Sequence, residues 1–214
     1  MAAMRVGVVP VTPFSQNCTI LWDDETREAV VIDAGGDVDR IMDAVTRQGL
    51  DVRALWLTHG HLDHAGGVME LRDLLGDKVE IVGPDARDAM LLDNLQQQGE
   101  MFGIKGMRNV TPDRWLTEGE QVRLGSHVFE VLHCPGHTPG HVVFINHALK
   151  FAQVGDVLFQ GSVGRTDFPY GDHAALIDAI KTKLLPLADD YQFICDHGPN
   201  STIGAERRTN PFIQ

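Results

Sequence analysis

Short apolar runs and longer helical patterns alternate along the first half of the chain. Three runs rich in β-branched residues are separated by turn residues and predict strands at residues 5–11, 19–22 and 29–32. Apolar positions then recur at helical spacing between Val38 and Val45 and stop before Gly49, which predicts a helix with a glycine cap. The apolar run at residues 54–57 predicts the next strand.

The alternation continues to the end of the chain. Helical periodicity predicts helices at residues 66–75, 86–97 and 174–185, with a further helical stretch near Ala205. Strands are predicted at residues 79–82, 121–124, 128–132, 142–145, 151–154 and 191–194. Residues 98–115 have no clear period and form either a packed irregular connection or a lid. Strands that alternate with helices predict an α/β layered fold.

Composition and charge restrict the class of protein. The chain has 214 residues, 43% hydrophobic and 22% charged, so we expect one globular domain at residues 1–214. Its formal charge of −12 would repel phosphate backbones, and we expect no nucleic-acid partner. No apolar stretch is long enough for a secretory signal or a membrane span, so we expect a cytoplasmic protein without a membrane partner. Its three cysteines are unrelated in spacing and predict no disulfide framework.

The highest density of potential metal ligands directly follows the predicted strand at residues 54–57. Residues 58–64 are Thr-His-Gly-His-Leu-Asp-His, with three imidazoles and one carboxylate. These groups are usual ligands of Zn²⁺ and Fe²⁺, and crowding them together is costly unless a cation compensates. The two-residue step from His59 to His61 fits neither one face of a strand nor one face of a helix. We predict a turn around an ion, because Gly60 permits the backbone angles that such a turn needs. A His-rich surface loop is the alternative.

Three later strands also end in a histidine or an aspartate beside a glycine. His137 follows the strand at 128–132, Asp156 follows the strand at 151–154, and His197 follows the strand at 191–194. Loops at one end of a packed sheet bring distant residues together. The candidate metal ligands are His59, His61, Asp63, His64, His137, Asp156 and His197. One tetrahedral ion needs only about four ligands, so we expect two ions that share a carboxylate.

These motifs resemble those of the metallo-β-lactamase superfamily. The likeness covers nearly the whole chain and rests on residues 58–64, Pro135-Gly136-His137-Thr138, Gly155-Asp156 and His197-Gly198. Within the superfamily, the chain is most similar to short bacterial glyoxalase II (hydroxyacylglutathione hydrolase) enzymes. That similarity is carried by Met101-Phe102-Gly103, residues 111–116, residues 164–169 and Asn210-Pro211-Phe212.

The resemblance implies a four-layer αββα sandwich with two divalent metal ions between the sheet edges. It implies that the first ion is held by His59, His61 and His137, the second by Asp63, His64 and His197, and that Asp156 bridges them. Zn²⁺ is the favoured ion, with Fe or Mn as alternatives. The implied reaction is thioester hydrolysis, with S-lactoylglutathione giving D-lactate and glutathione. A hydroxide bridging the ions would be the nucleophile, and Asp63 would orient it and accept its proton.

The chain also departs from the family pattern. Cys195-Asp196 precedes the last candidate ligand, where the superfamily often has Pro-Gly. We expect no room for the C-terminal helical domain that supplies glutathione contacts in larger glyoxalase II enzymes. Among the basic and aromatic glutathione-contacting residues of those enzymes, only Arg165 has a match, and we predict that it binds substrate. A pairing of Arg165 with Asp167 or another carboxylate is the alternative.

Two other functions are compatible with parts of this sequence. Residues 164–168 also resemble persulfide dioxygenases of the same superfamily, in which His59, His137 and Asp156 would hold one Fe²⁺ for the reaction of O₂ with glutathione persulfide. The third possibility is a metal-stabilised binding protein without turnover. The complete ligand set argues against that last possibility.

Three residues near the candidate ligands have two interpretations each. Asp33 either supports a ligand histidine or forms a turn. His133 and His141 are either partners of ligands or ordinary loop residues. We leave all three out of the candidate ligand set.

Overall fold

Five strands form the first sheet of the computed structural model, which describes residues 3–214. Side by side, they are β1 (Met4–Val11), β2 (Gln16–Asp23), β3 (Glu28–Ile32), β4 (Asp51–Trp56) and β5 (Glu80–Val82). The first three strands are antiparallel neighbours, while β3, β4 and β5 are parallel and are connected through helices. Because β3 and β4 run in the same direction, the residues that follow them leave the sheet at the same end, beyond the carboxyl ends of these strands.

Six strands form the second sheet. They are β6 (Gln121–Leu124), β7 (His127–His133), β8 (Val142–Asn146), β9 (Phe151–Gln153), β12 (Gln192–Ile194) and β13 (Ser201–Thr202). Their order across the sheet is β13-β12-β9-β8-β7-β6, and only β9 and β12 are parallel neighbours. Asp156 and His197, which follow these two strands, therefore lie at the same end of the sheet. A separate hairpin joins β10 (Leu158–Phe159) to β11 (Ser162–Val163).

Helices cover the outer face of each sheet. The first sheet is covered by α1 (Val38–Gln48) and α3 (Val68–Leu75), and the second by α6 (His173–Ala179) and α7 (Ile203–Thr209). Ile41 of α1 and Leu71 of α3 share an apolar cluster with Leu55 of β4. On the opposite side, Leu176 of α6 shares a cluster with Phe193 of β12. Burying these faces removes apolar area from water, which is the main stabilising term for such layers.

A third apolar cluster fills the space between the two sheets. Trp56 of β4 lies 5.3 Å from Phe129 of β7 and 5.1 Å from Phe144 of β8, measured between ring centroids. All three side chains are buried, and such aromatic contacts contribute beyond their buried area. The layers run helix, sheet, sheet, helix. The α/β class agrees with the alternating sequence pattern, and the four layers agree with the αββα sandwich that the family resemblance implies.

The helix predicted at residues 86–97 is wrong as a single element. A 3₁₀ turn at Ala86–Asp88 leads into two short helices, α4 (Ala89–Leu92) and α5 (Leu95–Met101). The 3₁₀ turn runs directly into α4, and the buried Asp88 carboxylate at its end accepts hydrogen bonds from two other loops. The helix is interrupted between α4 and α5, where Asn94 has non-helical backbone angles.

Other elements also differ from the prediction. A short helix, α2 (Leu62–Ala65), forms inside the stretch predicted to be a turn around an ion. The predicted helix at 174–185 begins as α6 and continues as a π-helical segment at Ile180–Leu184. The irregular segment after α5 packs on the core through buried Met107 and Val110. Within residues 3–214, no helix is both long and apolar enough to cross a membrane.

Candidate metal centre

Three histidines, the first group, converge at one end of the sandwich: His59, His61 and His137. His59 and His61 lie on the loop after β4, whereas His137 lies on the loop between β7 and β8. Nδ1 of His61 lies 3.1 Å from Nε2 of His59 and 3.0 Å from Nε2 of His137. All three rings are buried. The loops thus direct three nitrogen atoms to one point.

A second group lies beside the first and consists of Asp63, His64 and His197. Oδ2 of Asp63 is 3.6 Å from Nε2 of His64 and 3.3 Å from Nε2 of His197. Asp63 and His64 belong to α2, and His197 follows β12. The second group therefore combines donors from both halves of the sandwich.

Asp156 lies between the two groups. Its Oδ2 atom is 3.4 Å from Nε2 of His137 in the first group. The same oxygen is 3.6 Å from Nε2 of His64 and 3.6 Å from Nε2 of His197 in the second group. One carboxylate oxygen is thus near donor atoms of both groups, which is the arrangement expected of a bridging ligand.

Two buried polar atoms in this region fit a cation. Nε2 of His64 and Oδ1 of Asp156 are shielded from solvent and have no hydrogen-bond partner within residues 3–214. Buried polar atoms are costly when they are unpaired, so native structures seldom leave them so. Imidazole nitrogen and carboxylate oxygen are also the donors that Zn²⁺, Fe²⁺ and Mn²⁺ accept. The residues present therefore fit a divalent metal centre.

The protonation states agree with this fit. Burial lowers the pKa of His59 well below its ordinary value and lowers the pKa of His61 to about 3. Burial alone would raise the pKa of Asp156, but the neighbouring imidazoles, chiefly His64, depress it strongly. Neutral imidazole and ionised carboxylate are the forms that bind metal.

His64 differs from the histidines of the first group. Burial alone would lower its pKa, but the carboxylates of Asp63 and Asp156 raise that pKa well above its ordinary value. A cation bound here would replace the proton that these carboxylates favour on His64.

The remote nitrogen of each first-group histidine contacts another polar group. These contacts are Thr58 Oγ1 at 2.9 Å from His59 Nδ1, Tyr170 Oη at 2.7 Å from His61 Nε2 and the Arg165 carbonyl at 2.8 Å from His137 Nδ1. Such contacts fix the ring orientation and the tautomer of metal-binding histidines. His64 has two carboxylates at its Nδ1 atom, Asp33 at 3.0 Å and Asp196 at 3.1 Å.

Two glycines allow backbone to pass close to the candidate ligands. A Cβ atom on Gly35 would lie 1.6 Å from the carbonyl oxygen of Asp63, and one on Gly164 would lie 1.9 Å from that of Asp156. No side chain fits at either position without backbone movement. The positions of Asp63 and Asp156 therefore depend on these two glycines.

A comparison of the sequence with protein families identifies the same superfamily that the motifs resemble. The model described as "Metallo-beta-lactamase superfamily" matches residues 11–197. The chain belongs to the metallo-β-lactamase superfamily. Among curated relatives of the superfamily, "Hydroxyacylglutathione hydrolase GloC" of Haemophilus influenzae is 49% identical over 211 residues, 98% of each chain.

Two solved structures with this fold are similar over nearly their whole length. BLEG-1, a protein named as a B3 metallo-beta-lactamase, has a TM-score of 0.88 and 33% identity, covering 98% of this chain and 99% of that one. TTHA1623 "in a di-iron-bound form" has a TM-score of 0.85 and 34% identity, covering 96% of this chain and 99% of that one. The predicted family and fold class are confirmed, as is the prediction that the chain is a metallo-hydrolase enzyme.

Two residues that the sequence did not single out also support the site. The Asp88 carboxylate accepts hydrogen bonds from the backbone of Gly60 at 2.9 Å and Gly140 at 2.6 Å, and from the Thr138 hydroxyl at 2.7 Å. It thereby joins the two loops that carry the first group. Tyr170, which contacts His61, is the other residue. Neither carries a sequence signal, because both contacts join residues that are distant along the chain.

The structure decides between the two interpretations of Asp33, His133 and His141. Asp33 supports a candidate ligand, because its carboxylate contacts His64. His141 also contacts one, because its Nε2 accepts a hydrogen bond of 3.0 Å from the Asp156 backbone. His133 instead contacts the Pro139 carbonyl. The three cysteines are free and buried.

Arg165 lies in the loop that borders the first group. Its guanidinium makes two hydrogen bonds of 2.7 Å to Asp167, and it stacks 4.6 Å above the ring centroid of Phe168. Phe168 in turn contacts His61, with 4.8 Å between ring centroids. The side chains of Arg165 and Asp167 are both exposed. The pairing that the sequence left as an alternative is therefore present, and the guanidinium also remains open to solvent.

Proposed function

We propose that this enzyme hydrolyses a glutathione-linked thioester in a metal-dependent reaction, with S-lactoylglutathione giving D-lactate and glutathione. The position of Asp156 between two complete donor groups carries the proposal, because that arrangement suits a pair of ions. The 49% identity to a hydroxyacylglutathione hydrolase supports the substrate class. The proposed partner is a small molecule, and no nucleic-acid or membrane partner is proposed. Cytoplasmic location stays a prediction.

The proposed ligand assignment follows the two groups. His59, His61 and His137 would hold one ion, Asp63, His64 and His197 would hold the other, and Asp156 would contact both. Zn²⁺ is the ion we favour for this donor set, with Fe or Mn as alternatives. When bound, such a pair supplies positive charge that lowers the pKa of water to about 7 and polarises a carbonyl group.

Asp63 is the residue we propose for proton transfer. Its carboxylate is 16% exposed, while the His64 ring beside it is fully buried. Burial raises the pKa of Asp63, but His64 and His197 lower it below the ordinary value overall, so the carboxylate is available as an acceptor. It would orient the attacking water and take its proton as the new C–O bond forms. The C–S bond then breaks, and the proton passes from Asp63 to the departing thiolate or to solvent.

The exposure of the ligands indicates the direction of substrate approach. The His197 side chain is 30% exposed, whereas His59 is fully buried. Phe168 and Tyr170 stack on each other and cover His61 in the first group. We propose that the thioester enters over His197 and Asp63, with Arg165 at the margin to contact the glutathione portion.

The test starts from metal-free protein reconstituted with Zn²⁺. We expect close to two ions per chain by mass-spectrometric metal counting and release of free thiol from S-lactoylglutathione. The His147→Ala variant is a control, since His147 lies outside both groups and contacts Tyr191 and Glu130. A single ion after full reconstitution, with oxygen uptake on glutathione persulfide and no thioester hydrolysis, would favour the dioxygenase instead. Binding of two ions without turnover of either substrate would favour a binding protein.

A further inference from the structure

Asp196 is fully buried and directly precedes His197 in the chain. Its Oδ2 atom lies 3.1 Å from Nδ1 of His64, and its Oδ1 atom accepts a hydrogen bond of 2.6 Å from the Gln153 side-chain amide. Its backbone N–H donates to the Gly155 carbonyl at 3.1 Å, and its carbonyl accepts from the Asn17 backbone N–H at 2.7 Å. Both side-chain oxygens and both backbone polar groups of Asp196 are therefore engaged.

These contacts connect the loops that carry the second group. His64 is a member of that group, Gly155 precedes Asp156, and Asp196 itself precedes His197. The hydrogen bonds of Asp196 within residues 3–214 include none to His59, His61 or His137. The side chain of Asp196 contacts only His64 and Gln153 among these hydrogen bonds, so we expect a substitution of that side chain to act on the second group.

Asp33 provides an internal comparison. Its Oδ2 atom is 3.0 Å from the same Nδ1 atom of His64. Asp33 also accepts hydrogen bonds from the backbone and hydroxyl of Thr58, and that hydroxyl contacts His59 in the first group. Asp33 follows β3 of the first sheet, whereas Asp196 follows β12 of the second. The imidazole of His64 is held from both sheets, but only Asp33 is linked to both groups.

We propose that Asp196 is a positioning residue for the second metal group. Acceptors at Nδ1 require the hydrogen of the neutral imidazole to lie there, which leaves the Nε2 lone pair free to bind a cation. That Nε2 atom faces Asp63 and Asp156 at 3.6 Å and has no hydrogen-bond partner in the described chain. The inference rests on the proposed metal centre and is independent of the substrate.

Two substitutions separate orientation from charge. Asp196→Asn can keep both contacts, because its amide oxygen accepts from His64 while its NH₂ donates to Oε1 of a turned Gln153 amide. That Oε1 atom is buried and has no hydrogen-bond partner among the described residues. Asp196→Ala removes both contacts. If Asp196 acts by orientation, asparagine should retain the function and alanine should lose it.

The experiment is a calorimetric titration of metal-free protein with Zn²⁺, in which the two binding events are assigned by the His61→Ala and His197→Ala variants. We expect Asp196→Ala to weaken the second-group event on the order of 10- to 100-fold and leave the first unchanged. Asp196→Asn should bind as the wild type does. The control is Glu206→Gln, a buried carboxylate that contacts Gly161 and Asn210 away from the site and should affect neither event.

Other outcomes would overturn the inference. If folded Asp196→Ala binds Zn²⁺ more weakly in both events to the same extent, or more weakly in neither event, Asp196 does not act selectively on the second group. If Asp196→Asn binds Zn²⁺ as weakly as Asp196→Ala, the effect is due to charge and not to orientation. If the alanine variant does not fold, Gln153→Leu tests the same contact more gently and should weaken only the second-group event. A single event in the wild type would overturn the inference together with the two-ion centre. Two-ion binding without thioester hydrolysis would count against the proposed function alone.

Discussion

The hydroxyl of Tyr170 lies 2.7 Å from Nε2 of His61, on the side of the ring away from His59 and His137. Burial raises the pKa of Tyr170 to about 12, so the phenol stays neutral near physiological pH and can accept a hydrogen bond from Nε2–H. Phe168 stacks on Tyr170 and contacts His61 as well. The loop that carries both aromatic residues thus holds the one first-group histidine that points its Nδ1 atom at its neighbours.

Tyr170→Phe should weaken binding at the first group. Removal of the hydroxyl leaves the buried Nε2–H of His61 without its acceptor, which costs roughly 1–3 kcal/mol. We expect Zn²⁺ affinity at the first group to fall on the order of 10-fold in a chelator competition, with the second group unaffected. Tyr191→Phe is the matched control, because that tyrosine contacts His147 away from the site. Equal affinities in the wild type and Tyr170→Phe would contradict a role for this contact.

Removal of a proposed ligand should abolish turnover and reduce the stabilisation that added metal provides. His59→Ala and Asp156→Ala each delete a donor and leave polar neighbours without a partner. A ligand at about 100 times its Kd stabilises the native state by about 2.7 kcal/mol, so added Zn²⁺ should raise the Tm of the wild type. We expect that rise to shrink in both variants while His147→Ala keeps it. Full thioesterase activity in either ligand variant would show that the assignment is wrong.

The sequence predicts much of this site because strand ends carry the ligands. All seven candidates lie in segments that follow strands, and five of them stand directly next to a glycine: His59, His61, His137, Asp156 and His197. Parallel pairing of β3 with β4, and of β9 with β12, places the carboxyl ends of each pair at the same end of its sheet. Local motif and sheet topology agree here, which is why the convergence could be expected from the order of residues along the chain.

The parts that could not be predicted depend on contacts between distant residues. The carboxylate of Asp88, the last residue of the 3₁₀ turn before α4, binds loops 28 and 52 residues away, at Gly60 and Gly140. The hairpin β10–β11 has only two residues in each strand, too few for a periodic pattern. Tyr170 approaches His61 across 109 residues of chain. None of these contacts has a signature in the local order of apolar and polar residues.

Asp88→Asn should change the pH dependence of stability. Burial raises the pKa of Asp88 to about 6, against about 3.9 for an unfolded aspartate, although hydrogen bonds from Thr138, Gly140 and Gly60 act in the opposite direction. Between these values the folded state binds more protons than the unfolded state, so this carboxyl contributes less stability as the pH rises. The stability advantage of the wild type over Asp88→Asn should therefore be greatest below about pH 4 and should narrow up to about pH 6.

Urea unfolding of the metal-free proteins between pH 4 and pH 7 measures that difference. Contributions from the histidines are common to both proteins and cancel when the two free energies of unfolding are subtracted. Asp93→Asn, at an exposed position in the same segment, should show a gap that does not change in this way. A gap between the wild type and Asp88→Asn that widens as the pH rises would contradict the raised pKa.

Arg165→Ala should raise KM for S-lactoylglutathione more than it lowers kcat. The guanidinium is exposed, and an exposed ion pair such as that with Asp167 contributes only about 0–1 kcal/mol, so a substrate carboxylate can compete for it. A contact to the remote glutathione portion would stabilise the bound substrate and the transition state alike. Loss of one charge-assisted hydrogen bond corresponds to roughly a tenfold increase in KM.

Asp167→Ala distinguishes substrate binding from bracing of the loop. Both substitutions break the same pair, so both should loosen the loop around Phe168 to a similar extent. Only Arg165→Ala removes the positive charge, whereas Asp167→Ala frees the guanidinium for an anionic substrate. If Arg165 binds substrate, KM rises in the first variant and stays constant or falls in the second. If the pair only braces the loop that contacts His61, both variants lose kcat and thermal stability together with little change in KM, and steady-state kinetics with that pattern would defeat the substrate-contact proposal.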